Sequence, residues 1–303
     1  MTDPLCQFSR RFPDLAASIL HRDRHKRRNF REETITDILM AGLTAFEPFG
    51  VQVDFPVDES KTGDDMDWEF VAPRATNGRR YLRLHIQAKR AIFKKRRRIP
   101  SYWLYEQLDH KAQKHAGYGS QAKRLIDSAG AQPGCVPLYM FYHTQEALQP
   151  SCNKLPAIEG VNAIFADMLR PQLAANPPTK HNKGWSVDDK KVEKWRPYFM
   201  PLSDLLCFGG IAAFPVSSGG GREAFLVPWM NGFFSPGMLA DRLNARKRQI
   251  TAETELVDTA TIEAIEDIPQ ATLRAIETPG AVYVRAEIER PRAILIFRSG
   301  EGG

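Results

Sequence analysis

The chain has 303 residues, 43% hydrophobic and 26% charged, with a formal net charge of +6; such a composition is that of a globular protein long enough to bury a core, as one elaborated domain or two modest ones. No apolar run approaches the ~18 residues needed to cross a bilayer, and the N-terminus lacks the apolar stretch of a signal peptide. Four scattered cysteines, Cys6, Cys135, Cys152 and Cys207, make no CxxC pair, so neither a zinc site nor a disulfide framework is indicated and a cytoplasmic protein with reduced thiols is expected.

Residues 1–29 read as a basic N-terminal arm, with "HRDRHKRR" at 21–28. Asn29-Phe30-Arg31-Glu32 has the spacing of a capping box, and Ile35, Ile38, Leu39 and Leu43 follow at helical intervals, which predicts a helix from about Phe30 to Phe46. "VQVDFPV" (51–57) alternates as a short strand, "DMDWEFV" (65–71) as a second and "YLRLHIQAK" (81–89) as a third. In the third, Leu82, Leu84, Ile86 and Ala88 form an apolar face, and Arg83, His85, Gln87 and Lys89 form the other. Asn77-Gly78 between the second and third strands signals a hairpin. A two-residue turn would bury Asp65 and Asp67 among the apolar residues at several kcal/mol each. A three-residue loop over Thr76-Asn77-Gly78 instead sets Asp65 opposite Lys89 and Asp67 opposite Gln87, and that register is preferred.

Between Arg79 and Arg98 stand ten Lys or Arg and no acid. This run and the one at 21–28 point to a polyanionic partner, since phosphate contacts supply most non-specific nucleic-acid affinity. Beyond them, 101–116 and 120–130 read as helices, and "CVPLYMFYH" (135–143) reads as a fully buried, parallel strand. The helix over 101–116 would pack Tyr102, Trp103 and Tyr105 into the core. After Pro150 the expected elements are a buried segment in "PLSDLLCFGGIAAF", a helix over 235–249 and a closing pair of strands in "AVYVRAEI" and "RAILIF". "SSGGG" at 217–221 is the best linker candidate.

Gathered on one side of this sheet are Asp65, Asp67, Gln87 and Lys89, with Glu33 and Asp37 four apart on the preceding helix. Read blandly, the helix acids complement a helix dipole and the lysine is a solvated strand end. As an ordered set they suit phosphodiester hydrolysis. Mg²⁺ takes oxygen ligands, commonly one or two carboxylates plus waters and phosphate oxygens. A lysine two residues beyond a ligand lies on the same strand face, from which it can orient the attacking water and stabilise the transition state.

Glu33, Asp65 and Gln87-x-Lys89 in an αβββαβ order resemble the PD-(D/E)xK, restriction-endonuclease-like nuclease superfamily. More narrowly, "EETITD", "TGDDMDWEF", "IQAKR", "PLYMFYH" and "PYFMPLSDLLC" resemble an uncharacterised bacterial branch of it, over about residues 30–210. The resemblance implies an α/β fold with a restriction-endonuclease-like αβββαβ core and mixed sheet over 30–150, plus a C-terminal α/β elaboration over 151–303. It implies Asp65 as central metal ligand, Lys89 as water-orienting lysine and Glu33 as a supporting acid, with Asp67 in reserve. Gln87 replaces the usual carboxylate and offers a neutral carbonyl, which favours a one-metal site. The function so implied is a Mg²⁺-dependent endonuclease (Mn²⁺ substituting) acting on double-stranded DNA, with bacterial anti-phage defence as the role the resemblance suggests. Arg90, Lys94, Lys95, Arg96, Arg97 and Arg98 would clamp the backbone. A homodimer and an activating protein or ligand are further candidates as partners. The alternative is a nucleic-acid-binding module that keeps the fold without the chemistry.

Overall fold

The computed structural model describes residues 3–23, 30–56, 65–75, 77–95, 100–109, 121–150, 152, 154–176, 185–208, 235–254, 260–279, 281 and 290–297. In chain order these form Pro4–Asp23 (α1), Glu32–Thr44 (α2), Val51–Asp54 (β1), Asp65–Val71 (β2), Tyr81–Arg90 (β3), Ile92–Lys94 (β4), Tyr102–Leu104 (β5), Gln121–Gly130 (α3) and Cys135–Tyr142 (β6). There follow Gln145–Leu148 (α4), Val161–Phe165 (β7), Arg170–Ala175 (α5), Val187–Lys190 (α6), Val192–Trp195 (α7), Met200–Pro201 (β8), Leu202–Leu206 (α8), Pro236–Thr254 (α9), Gln270–Glu277 (α10) and Arg292–Ile296 (β9). The protein is α/β, built on a mixed seven-stranded sheet in the order β1-β9-β2-β3-β6-β7-β8.

Alternation on β3 sorts two cores. Leu82, Leu84, Ile86 and Ala88 face a large core that also takes Leu5 and Phe12 of α1, Leu39 and Leu43 of α2, Leu205 of α8 and Leu243 of α9. Across the sheet, Tyr139 and Phe141 of β6 pack with Leu125 and Ile126 of α3 and with Trp195. The nearly continuous apolar run of β6 pairs parallel to β3, as a strand buried on both faces should.

Several expectations are corrected. The segment 1–29 is not simply an arm: α1 buries Leu5, Ala17 and Leu20 completely, and its apolar spacing explains why. The second helix starts at Glu32 behind an Arg31 cap with no side-chain bond; Asn29, the expected capping residue, lies outside the described residues. No helix begins at 101. Tyr102–Leu104 is instead a strand paired with Ile92–Lys94, where Trp103 packs on Phe93 at 5.1 Å and the aromatic residues favour the extended chain. Residues 110–116, 217–221, most of "AVYVRAEI" and the basic residues 24–28 lie outside the described residues. The first two of the three successive strands are not neighbours: β9 lies between β1 and β2, antiparallel to the first and parallel to the second. Its residues are apolar on both sides, with Ala293 and Leu295 in the large core and Ile294 in a third cluster, so a central position is where it loses most water-exposed surface. Cys6 and Cys207 are joined by a disulfide rather than reduced, tying the start of α1 to the chain just after α8; Cys135 and Cys152 are free. No helix among the described residues is long and apolar enough to cross a membrane.

Candidate functional site

The β2–β3 register places Asp65 opposite Gln87 and Asp67 opposite His85. The expected register was two residues different. Parity is unchanged, so every side chain keeps its face, but the partners shift. The cause is the width of the connection. Pairing runs on to Ala72 and Arg80, Ala75 N–H bonds the Ala72 carbonyl in a turn behind Pro73, and the Arg80 and Tyr81 N–H groups both donate to Ile265. Gly78 does take the left-handed conformation, at φ +69°.

Gln87 and Lys89 are each 1% exposed, and the Gln87 side-chain oxygen is shielded from solvent. Asp65 starts β2 directly across from Gln87; its backbone is described and its side chain is not. The first turn of α2 reaches the same end of β3 from the large-core side. Arg90 donates to the Phe30 carbonyl, and the Thr36 hydroxyl lies 2.9 Å from that of Tyr142, whose Cα pairs with Arg90. Glu33, one turn before Thr36 and on its helix face, is thereby carried to the Lys89 end of the strand. It is half-buried, 3.9 Å from Arg31.

Asp67 is differently employed. His85 Nδ1 lies 2.7 Å from Oδ1, Arg83 Nη2 lies 2.6 Å from Oδ2, and Arg290 Nε lies 3.7 Å from Oδ2. Arg290 Nη1 donates to His85 Nε2 at 2.7 Å. A guanidinium only donates, so Nε2 accepts and the ring proton sits on Nδ1, directed at Asp67. The same Nη1 is 3.1 Å from Nδ1; since that nitrogen's proton serves the carboxylate, the shorter contact is the hydrogen bond. Burial by itself would raise the Asp67 pKa, yet the His85 hydrogen bond and the Arg83 charge outweigh it and hold the carboxyl at about 2. With both oxygens engaged by cations and a histidine, Asp67 is poorly suited to the reserve ligand role. Along the same face Arg292 pairs with Asp54 at 3.1 Å, and Glu69 meets the Thr272 hydroxyl at 2.6 Å. Burial pushes the Glu69 carboxyl up.

Of the expected basic residues, Arg90 and Lys94 are partly exposed, Lys94 pairing with Glu106 at 2.8 Å, and Lys95 is exposed; Arg96, Arg97 and Arg98 lie outside the described residues. Trp103 packs on Phe93, and Tyr105 is wholly buried on Phe141 with its hydroxyl 2.6 Å from His143 Nε2, so these rings serve packing. Two cavities, of about 290 and 480 Å³, lie around Gln132, Pro133, Cys135 and Ile265 at the other end of β3, and neither is lined by Glu33, Gln87 or Lys89. Burial raises the Cys135 thiol there to about 11, leaving it protonated and unreactive. Among the described residues no three His, Cys, Asp or Glu side chains gather as a metal-binding group. The sequence did not disclose Arg290 and Arg292 as partners of the face; the only trace was the basic "ERPR" ahead of the last apolar run.

Against known proteins, the chain matches no curated protein and no solved structure. It belongs to a family of unknown function (DUF6615), which it matches over residues 5–301.

Proposed function

We propose that this DUF6615 chain is a Mg²⁺-dependent nuclease acting on DNA, with the core of a restriction-endonuclease-like protein. The observation that carries the reading is the register: Asp65 stands opposite Gln87, and Lys89 follows on the same strand face, at the strand end that the residues leading into α2 reach from the opposite, large-core side. The donor set is of the right kind for a hard cation, since a carboxylate and an amide carbonyl are both oxygen ligands. Asp65 and Gln87 would hold the ion, with Glu33 supporting it from α2. Bound there, Mg²⁺ would supply Lewis acidity to a coordinated water and to the scissile phosphate. Lys89, removed from bulk water at 1% exposure, carries a charge that acts more strongly on developing negative charge than an exposed lysine would. Lys95, Lys94 and Arg90 continue the basic track from the end of β3.

The test is cleavage of plasmid, linear and single-stranded DNA with Mg²⁺ or Mn²⁺, with and without EDTA. Metal-dependent cleavage that is lost in Asp65→Ala and in Lys89→Ala is expected; cleavage that survives both overturns the assignment. A second reading, a binding module without chemistry, is favoured by one observation. Gln87 is neutral and Asp67 is committed to arginines, so the described strands bring one carboxylate less than a typical two-acid metal site. Binding without cleavage under either metal would select it.

A further inference from the structure

We propose that Arg83 and Arg290 form a binding site for a phosphate of the nucleic-acid strand, beside the Asp67–His85 pair that adjoins the Asp65–Gln87 pair along β3; this rests on the nuclease reading above. Two guanidinium groups and the His85 ring surround the carboxylate of Asp67, so the cations at its oxygens outnumber the one anion they share. Of the neighbouring acids of this face, Asp54 is paired with Arg292, and Glu69, across the strand from Arg83, is buried and accepts from the Thr272 hydroxyl, so neither carboxylate fronts the solvent beside the two guanidinium groups. The layering matters as much as the sum. Asp67 is 7% exposed while the side chains of Arg83 and Arg290 are each 26% exposed, so the anion lies beneath and the cations lie above it. An approaching ligand meets guanidinium forks, whose planar donors match phosphate oxygens.

Position then favours a polymer. Arg83, His85, Gln87 and Lys89 follow one another on one face, about 6–7 Å apart. The cation pair therefore lies on one side of the Asp65–Gln87 pair, while Lys94 and Lys95 lie beyond the other end of the strand. A small phosphate ester would engage one side only; a nucleic-acid strand engages both. Arg290 is delivered rigidly, because the Asp67 N–H bonds the carbonyl of Pro291 at 3.0 Å.

The experiment is fluorescence anisotropy of a labelled DNA duplex in EDTA, over a range of salt, with the full chain and its Arg290→Gln, Arg83→Gln and Arg290→Lys variants. Arg170→Gln, outside the cluster, is the control. Arg290→Gln and Arg83→Gln should each bind about tenfold more weakly and flatten the log–log salt dependence by about one. Arg290→Lys, which keeps the charge and the Asp67 pair, should retain the slope. A glutamine variant that stays folded and keeps the wild-type slope overturns the phosphate site while leaving the nuclease reading standing. A wild-type chain that binds no duplex at low salt overturns both.

Discussion

Replacing Asp67 by Asn separates a structural anion from a metal ligand. In the folded chain its pKa falls from the usual 3.8 to about 2, slightly under two units at ~1.4 kcal/mol each, so its ionised form contributes ~2–3 kcal/mol. Because the folded pKa is the lower one, that stability is fully present above about pH 4 and is lost as pH falls toward 2. Asparagine keeps an oxygen for His85 but leaves Arg83 and Arg290 without their counter-ion, so the loss at pH 7 should be ~3 kcal/mol. Urea unfolding at pH 7, 4 and 3 measures it: the gap between wild type and Asp67→Asn should be largest at pH 7 and narrow below pH 4. Adding Mg²⁺ should leave it unchanged, since a ligand bound only by the wild type would widen it by RT ln(1 + [L]/Kd). A gap under ~1 kcal/mol at pH 7, or one that grows with Mg²⁺, refutes the reasoning.

His143 supplies a second pH signature in a different window. It is fully buried, and burial first, then the Arg196 charge, lowers its pKa from 6.5 to about 3; the unfolded chain therefore takes up a proton that the folded one refuses, and stability should fall by ~2 kcal/mol between pH 7 and pH 5, a slope that His143→Gln should lose in the same unfolding assay. Removing residues 290–303 should take away β9 together with Arg292, the partner of Asp54, and Arg290, one of the cations beside Asp67, and a non-cooperative, dye-binding chain in thermal and calorimetric scans is expected; a cooperative transition would contradict the central place of β9. Opening the Cys6–Cys207 disulfide, which spans 201 positions, with a dithiol or by Cys6→Ser should lower stability by ~2–5 kcal/mol, read from the urea midpoint.

What could be read in advance was what local alternation decides. The faces of β3, the burial of β6 and the helix opened at Pro236 follow from neighbours within a few positions. The β2–β3 register did not, because a two-residue slip leaves every face intact. What sets it is the Ile265 carbonyl taking the N–H groups of Arg80 and Tyr81 from some 185 positions away. The same distance hid Arg290 from Asp67 and Cys207 from Cys6, pairs whose separation has no spacing pattern to betray it. Tyr102-Trp103-Leu104 satisfied helical spacing as well as extended chain, and the hairpin partner Ile92–Lys94 decided between them. Of the candidate site, Asp65, Gln87 and Lys89 were legible as one constellation. The difference between Asp65 and Asp67 was not, since it depends on which cations fold back onto the second.

The place of β9 also has a consequence in time. β2 is made early, yet one of its two edges waits for residues 292–296, more than two hundred positions later. At ~5–20 residues per second the ribosome needs roughly 10–40 s to supply them. Throughout that interval the strand bearing Asp65 presents unmated amide and carbonyl groups, an invitation to pair with the wrong chain. The same interval withholds Arg290 and Arg292, so the face acquires its charge balance only as its last strand is threaded in.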